Sequence, residues 1–528
     1  MIKPEAKWYM KIHPTEFAAV LLILWSCHAP ASVLYVDLNS TNPVAPYADL
    51  STAAVTIQDA VDAATNGDLV LVNDGVYQVG GRTNQEPGFP RSDGVTNRVL
   101  VGKPVAVQGI NGPAATFISG SGTDRCVYLT NGASLSGFSL INGLAGWVTT
   151  SVSHGHTNVA IHAGNGGGVI GGEFGGGVVS NCVLTGNVAT GDGGGACEAT
   201  LVNCLLTGNQ ATNGGGAASS ALVNCVLTSN RVQASGIILV QPGPTTGEGG
   251  GIYLGSAINC VIAENSAYQG GGAAGLVTLK NCTTINNSAS LDGGAFLDSA
   301  APYAYSQITN CIIYYNSAGT NANFNLGNYY IDHSCSLPSP GSGVGNITNA
   351  PAFVDFTGGD YHLQASSLCI NSGNNSAVTT STDADGNPRI AGGTVDIGAY
   401  EFQTPSSMLS YAWAQQYGFP TDGSADFADP DGDGMNNWQE LVAGTNPTNA
   451  TSVLAMVAAY PVSNFNWVIV KWQSVNTRNY YLLRSSNLSS PSVFSLVSSN
   501  ITGQAGTTMV IDATATNSGP YFYRVGVQ

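Results

Sequence analysis

Charge is scarce in this chain. Of 528 residues only 9% are Asp, Glu, Lys or Arg, and fifteen basic residues face thirty-two acidic ones, a formal −17. Partners that offer rows of phosphate, such as nucleic acid or an anionic membrane, need clustered Lys and Arg, so neither is expected. Zinc is not expected either, because no Cys-x-x-Cys spacing occurs among the eleven cysteines. Long apolar runs are missing too. The one apolar stretch, Phe-Ala-Ala-Val-Leu-Leu-Ile-Leu-Trp at 17–25, is too short to span a membrane comfortably.

Glycine, in contrast, is abundant at 68 residues, and it keeps a beat. An Asn-Cys pair recurs at Asn181-Cys182, Asn203-Cys204, Asn224-Cys225, Asn259-Cys260, Asn281-Cys282 and Asn310-Cys311. A second Asn follows each Cys by five residues, at Asn187, Asn209, Asn230, Asn265, Asn287 and Asn316. Glycine clusters at 193–195, 214–216, 249–251, 270–272 and 293–294 follow the same period of 21 or 22 residues, with insertions in two intervals. So short a period means a solenoid, and helical repeats are longer and avoid glycine. Short β-prone runs such as Val183-Leu184 and Ile312-Ile313 between Gly and Asn turns make each period one coil of a parallel β-helix. The fold class is therefore all-β. Stacked coils place like on like, so the second Asn should form a ladder of mutually bonded amides, and Cys should be a small inward residue. The six repeat cysteines read as stacked free thiols. Cys335 and Cys369 lie outside the repeat and are the disulfide candidates.

Lys3, Lys7 and Lys11 precede the 17–25 run and Ala29-Pro30-Ala31 follows it. This is the pattern of an export signal over 1–31, with Met1 or Met10 as the start. Cys27 leaves open a lipoprotein anchor. Without residues 1–31, twelve basic and thirty acidic side chains remain, a formal −18. A secreted or cell-surface protein, monomeric and without a transmembrane segment, is expected. Residues 56–64 put Ile57, Ala60, Val61 and Ala64 on one helical face, with Thr56 and Asp59 as a cap. Such a helix would cover the open end of the solenoid before its first coil, whose strands begin at Val70-Leu71-Val72.

Ile57-Gln58-Asp59-Ala60-Val61-Asp62-Ala63-Ala64, with Gly67-Asp68 and Gly75-Val76-Tyr77, resembles the entry segment of secreted pectate-lyase-like right-handed β-helix proteins. The coils are similar to the parallel β-helix repeat family. Residues 351–402 resemble the bacterial choice-of-anchor Q region through Ser366-Ser367-Leu368-Cys369-Ile370-Asn371-Ser372-Gly373, Asp383-Ala384-Asp385-Gly386-Asn387-Pro388-Arg389 and Val395-Asp396-Ile397-Gly398-Ala399-Tyr400-Glu401. These resemblances imply the fold and export. They leave the reaction open, because such proteins include lyases, hydrolases and adhesins. The expected organisation is a signal peptide at 1–31, a β-helix at 32–350, its choice-of-anchor Q-like end at 351–402, a helical linker with a calcium loop at 403–450 and a β-sandwich at 451–528.

A lyase needs a base beside the acidic sugar's carboxylate, and Arg or calcium to neutralise that carboxylate. Between 160 and 310 only Arg231 and Lys280 are basic; Arg82, Arg91, Arg98, Lys103 and Arg125 gather near the entry end with Glu86 and Asp93. A hydrolase needs two carboxylates on one cleft. Gly-His-Gly and Arg-x-Lys are absent, and His154-Gly155-His156, with His162 nearby, is only a partial echo. The leading expectation is a non-catalytic protein that binds a glycan or another surface through its solenoid face. A polysaccharide lyase acting on acidic polysaccharide, less readily a glycoside hydrolase, and a structural spacer are the alternatives. On that face Asp192, Asn213, Glu248, Gln269 and Asp292 each precede a glycine cluster and should stack as one ladder, with acids kept apart by amides. The ladder reads either as a charge-spacing turn or as a strip that binds sugar hydroxyls or cations. Glu173, Glu198 and Glu264 extend the acidic surface. Among the aromatics, Tyr253, Tyr268, Phe296, Tyr303, Tyr305, Tyr314 and Tyr315 cluster late in the solenoid.

The most specific chemical motif is Asp429-Pro-Asp431-Gly-Asp433-Gly434-Met435-Asn436-Asn437-Trp-Gln-Glu440. Oxygen ligands fall at positions 1, 3, 5, 9 and 12 of a twelve-residue calcium loop, with glycine at the sharp turn. Asp429, Asp431 and Asp433 offer carboxylates, Met435 its carbonyl, Asn437 a direct or water-mediated contact, and Glu440 a bidentate closure. The loop resembles those of thrombospondin type 3 and dockerin-like repeats, and its cofactor is calcium as a structural clip. Beyond it, runs such as Trp467-Val468-Ile469-Val470-Lys471-Trp472 and Tyr521-Phe522-Tyr523-Arg524-Val525 read as strands of a small β-sandwich.

Overall fold

A computed structural model describes residues 31–83, 94–146, 148–153, 157–162, 164–172, 176–232, 247–298, 305–325, 329–462, 467–488, 494–515 and 519–527. The expected signal peptide, with Met1, Met10 and Cys27, lies outside them. So do Glu86, Arg91, Asp93, His154, His156, Glu173 and Tyr303. The chain divides into two compact units, one running to Phe402 and the other formed chiefly by 403–528. Among the described residues no helix is long and apolar enough to cross a membrane.

The first unit is a parallel β-helix. Val183, Leu205, Val226, Val261, Thr283 and Ile312 stand in register in successive coils, and so do Leu184, Leu206, Leu227, Ile262, Thr284 and Ile313. This parallel sheet runs from Gly75–Tyr77 to Cys335–Ser336, and another runs from Leu144–Ala145 to Ser317–Thr320. Alternate side chains of each rung point inward and join one apolar column.

The Asn-Cys pair makes the corners. Asn181, Asn203, Asn224, Asn259, Asn281 and Asn310 all have φ between 49° and 55°, the left-handed region that Asn tolerates better than most side chains. The Cys that follows is buried and free in every coil. Each Sγ lies 3.2–3.3 Å from the carbonyl oxygen two residues earlier, from Ser180 to Thr309. The corner thus wants a small apolar side chain with a weak donor. Burial pushes the Cys182 thiol up to about 12.

The second Asn forms a continuous buried ladder. Nδ2 of Asn187 donates to Oδ1 of Asn209 at 3.0 Å, and the pattern passes through Asn230, Asn265 and Asn287 to Asn316 at 2.9–3.0 Å. Each Oδ1 also accepts the backbone N–H of the preceding Asn, and each Nδ2 also donates to a backbone carbonyl, Leu206 O in the case of Asn230. Asn323, only seven residues on, closes the ladder above Asn316 at 2.9 Å. The glycine clusters permit close stacking of backbone on backbone: a Cβ on Gly194 would lie 2.4 Å from the carbonyl oxygen of Gln210.

Two details differ from expectation. The end helix, Ile57–Ala63, is capped by Thr56 and buries Ile57, Ala60 and Val61, but it is not the first element. Val33–Val36 precedes it and pairs in parallel with Leu69–Val72, so the first coil begins before the helix. Gln58 fixes the helix by exchanging two hydrogen bonds with Leu100. Cys335 and Cys369, the disulfide candidates, are buried with their thiols against one another, and both are free. Ser334 takes the ladder place above Cys311, and Cys335 pairs beside Ile312.

Residues 360–401 are tied together internally and bond the coils through Asn259, Thr283 and Asn310. Asp383 accepts from the N–H groups of Asp385, Asn387 and Glu401. The guanidinium of Arg389, 1% exposed, donates to the carbonyls of Asp396, Gly398 and Ala399. Asp383, Arg389 and Glu401 are therefore engaged by the segment's own backbone.

The second unit carries helices Tyr411–Tyr417 and Asn437–Ala443, then two three-stranded antiparallel sheets. The sheets enclose Val470, Trp472, Tyr480 and Leu482, a small sandwich core as the alternation implied.

Candidate functional site: a cation loop and the solenoid face

The loop at 429–440 is held by its own backbone. Asp429 accepts from Gly432 N–H at 2.8 Å and Gly434 N–H at 3.0 Å, and Asp433 accepts from Met435 N–H at 2.8 Å. Gly434, at φ 93°, makes the turn. Asn436 caps the following helix in a capping box with Gln439, and that helix start carries Asn437 and Glu440 inward. Asn437 Nδ2 donates to Ala425 O, which leaves its oxygen turned to the loop.

Asp431 accepts from the Asp433 N–H at 3.3 Å, so one oxygen each of Asp431 and Asp433 is used by the loop. The second oxygens, Asp431 Oδ2 and Asp433 Oδ2, with Asn437 Oδ1 and both oxygens of Glu440, are buried with no hydrogen-bond partner. Glu440 and Asn437 are 0% exposed. Asp429, Asp431 and Asp433 each offer an oxygen within 4.8 Å of the others. An unpaired buried carboxylate is among the costliest groups a protein can hold. Burial, with Asp431, Asp433 and Asp429 adding their negative charge, pushes the Glu440 carboxyl up to about 7. The donor set is all oxygen, which suits a hard cation. A buried Glu able to bind through both oxygens suits calcium, with its six to eight ligands, better than magnesium. The residues present therefore fit a calcium ion.

On the solenoid, Asp192, Asn213, Glu248, Gln269 and Asp292 stand in one column. Asp192 bridges to Asn213, Glu248 to Gln269 and Gln269 to Asp292. Asn213 Nδ2 donates to Asp192 at 2.9 Å, and Asn213 Oδ1 accepts the Glu248 N–H at 3.1 Å. Asn165 belongs to the same column below Asp192, whose N–H it accepts at 2.9 Å. Asn165 also precedes a glycine cluster, Gly166–Gly168, one coil before the first cluster counted in the sequence, so the same pattern extends to it. At the other end Asn321 donates to Asp292 at 2.8 Å.

The described basic residues of the entry end are spent on structure. Arg82 pairs with Asp62, and Lys103 donates to the helix-end carbonyls of Asp62 and Ala64. Arg98 pairs with Asp124 at 2.7 Å and donates to Ser119 O. Arg125, fully buried, donates to Asn97 Oδ1 at 2.7 Å and to the carbonyls of Asn165 and Gly166. Arg231 reaches Gln210 at 3.3 Å.

The late aromatics divide. Phe296 is core, Tyr314 is buried with its hydroxyl on Thr348 O, and Tyr315 packs on Phe356. Tyr253 packs on an apolar ladder that includes Tyr128. Tyr268 is exposed, as are Tyr305 and, unforeseen, Tyr330. A further titratable group also went unforeseen. His362 lies between Asp360 and Asp385, 2.6 Å from each, and stacks on Tyr400 at 4.0 Å.

No protein-family model matches the chain, and no curated protein does. Among solved structures it is similar to pectate lyase Pel9A, at 17% identity over 70% of this chain and 96% of that one, with a TM-score of 0.40. It is also similar to a rhamnogalacturonan lyase, at 14% identity over 63% and 95%, with a TM-score of 0.34. A complex of XylC with xylose follows at 8%, over 61% and 88%, with a TM-score of 0.26. The assignment of a parallel β-helix rests on the strand register given above.

Proposed function

We propose that this is an exported, non-catalytic β-helix protein that binds a glycan or another surface through its solenoid face and holds a structural calcium ion at residues 429–440. The observation that carries the calcium reading is the set of five buried oxygens on Asp431, Asp433, Asn437 and Glu440 without hydrogen-bond partners. Asp429 and the Met435 carbonyl complete the ligand set implied by the loop's spacing. Calcium there would neutralise the carboxylates and tie the loop to the helix that follows. The non-catalytic reading draws support from Arg82, Arg98 and Arg125, whose guanidinium groups bond Asp62, Asp124, Asn97 and backbone carbonyls. The Asp192–Asp292 column remains a candidate contact strip on the face, and 351–402 a candidate anchor-type end.

Calorimetric titration of the full chain with calcium tests the first part. One site is expected, abolished by Asp431→Ala with Glu440→Ala, and an undiminished titration in that variant refutes it. Incubation with acidic and neutral polysaccharides, assayed for retention and for new chain ends, tests the second. New chain ends would replace the binding reading with the lyase.

A further inference from the structure

Among the described residues, Tyr305 and Tyr330 are the most exposed of the late-solenoid tyrosines, at 59% and 48%, ahead of Tyr315 and Tyr268. The strand register puts them on one face. Gln307 pairs directly with Tyr330 on the next rung, and Tyr305 lies two residues before Gln307, so all three point outward. Thr309 continues the row. From the rung and residue spacings the two tyrosine Cα atoms stand about 8 Å apart on the diagonal. The four side chains line one shallow depression open to solvent. Among the described residues, neither ring packs on another aromatic, and none of the four side chains is engaged in a hydrogen bond. Tyr314, Tyr315, Phe356 and Tyr361, by contrast, pack on one another.

We propose that Tyr305 and Tyr330, with Gln307 and Thr309 beside them, form a stacking platform for a neutral polysaccharide. This rests on the glycan-binding reading above and gives it a place and a ligand class. A pyranose ring has an apolar C–H face and a rim of hydroxyls. Two open tyrosine faces suit the first, and a free amide and hydroxyl between them suit the second. The tyrosines lose little conformational freedom on binding, because each has only two side-chain torsions. The four lining groups carry no charge, and a chain of formal charge −17 repels a polyanion along its length. Lys280, in register with Thr309 on the preceding rung, borders the platform and is the group that an acidic sugar would use.

The test is affinity electrophoresis of the full chain in gels containing a soluble cellulose derivative, a mannan, a xylan or polygalacturonate. It compares the wild type with Tyr305→Ala/Tyr330→Ala, Tyr305→Phe/Tyr330→Phe and Lys280→Ala. All three substituted positions reach the surface, and an unchanged melting temperature confirms folding. The expected result is retention by at least one neutral polymer, weakened at least tenfold in the alanine pair and kept in the phenylalanine pair. Equal retention by the alanine pair sinks the platform and leaves the glycan-binding reading standing. Retention only by polygalacturonate, lost in Lys280→Ala, overturns the neutral assignment. Failure of the wild type to be retained by any polymer overturns both.

Discussion

The asparagine ladder and the 429–440 loop are both buried and polar, yet they solve the same problem in opposite ways. In the ladder each amide gives and takes hydrogen bonds with the coils on either side, so identical side chains satisfy one another without outside help. In the loop the buried oxygens are all acceptors, and acceptors cannot satisfy acceptors. Repetition of a group that is donor and acceptor at once builds structure. Convergence of groups that only accept builds a site for a cation.

The comparison is broken most directly at Asn230. Its replacement by Ala removes the acceptor for both the N–H and the Nδ2 of Asn209, and leaves Oδ1 of Asn265 with only the backbone N–H of residue 230. The expected cost is about 3 kcal/mol, from several buried groups left unpaired and a small cavity. It should be the same with calcium as with chelator. A urea titration reads it, and a cost that depends on calcium would show that the ladder is not self-sufficient.

The loop should behave in reverse. At calcium a hundredfold above its Kd the stabilisation is about 2.7 kcal/mol, or roughly 8 °C in the melting temperature of a unit this size. Chelator removes it. Glu440→Gln separates the two states of the loop: it should lower the melting temperature in calcium by removing a ligand charge, yet leave it unchanged or raise it in chelator by removing a buried charge. A fall of equal size in both conditions would make Glu440 a packing residue.

His362 offers a third kind of polar site, half open and charged. The Asp385 carboxylate on Nε2, joined by Asp360 on Nδ1, pushes its imidazole up to about 9 against the opposing effect of burial. A histidine raised in the folded state stabilises fully below its ordinary value near 6.5, and loses that contribution as pH rises through about 9. The melting temperature of the wild type minus that of His362→Gln should therefore fall between pH 6.5 and pH 9. A flat difference would show that the imidazole is not held as a cation.

What the sequence made legible follows from these same contrasts. The two Asn ladders, the Cys corner and the Asp192–Asp292 column were readable because a fixed period stacks like on like. Asp429–Glu440 was readable because its ligands lie within twelve consecutive residues. Tyr330 and the Asp360–His362–Asp385 cluster were not, because their neighbours come from segments with no common period. The strand at Val33–Val36 was hidden for a related reason: it is a coil without the repeat's Asn, Cys or Gly. Arg82, Arg98 and Arg125 show the converse limit: a sequence cluster that suggests chemistry does not reveal that their guanidinium groups bond Asp62, Asp124 and Asn97.

The smallest effect separates the two readings of the acidic column. Asp192→Asn keeps a carbonyl acceptor for Asn213 Nδ2 and should change stability by less than about 0.5 kcal/mol. Asn213→Asp instead puts three carboxylates on successive rungs roughly 4.8 Å apart, where like charges repel. It should cost about 1 kcal/mol at low salt and less at high salt, because the column is only half-buried and the charges are screened. Chemical denaturation at two ionic strengths with urea, which adds no charge of its own, measures the difference. A salt-sensitive cost at Asn213 with none at Asp192 means that acids and amides alternate to keep charge apart. If neither change has a cost, the alternation does nothing for folding, and contact with a ligand becomes the better account of why acids stand there.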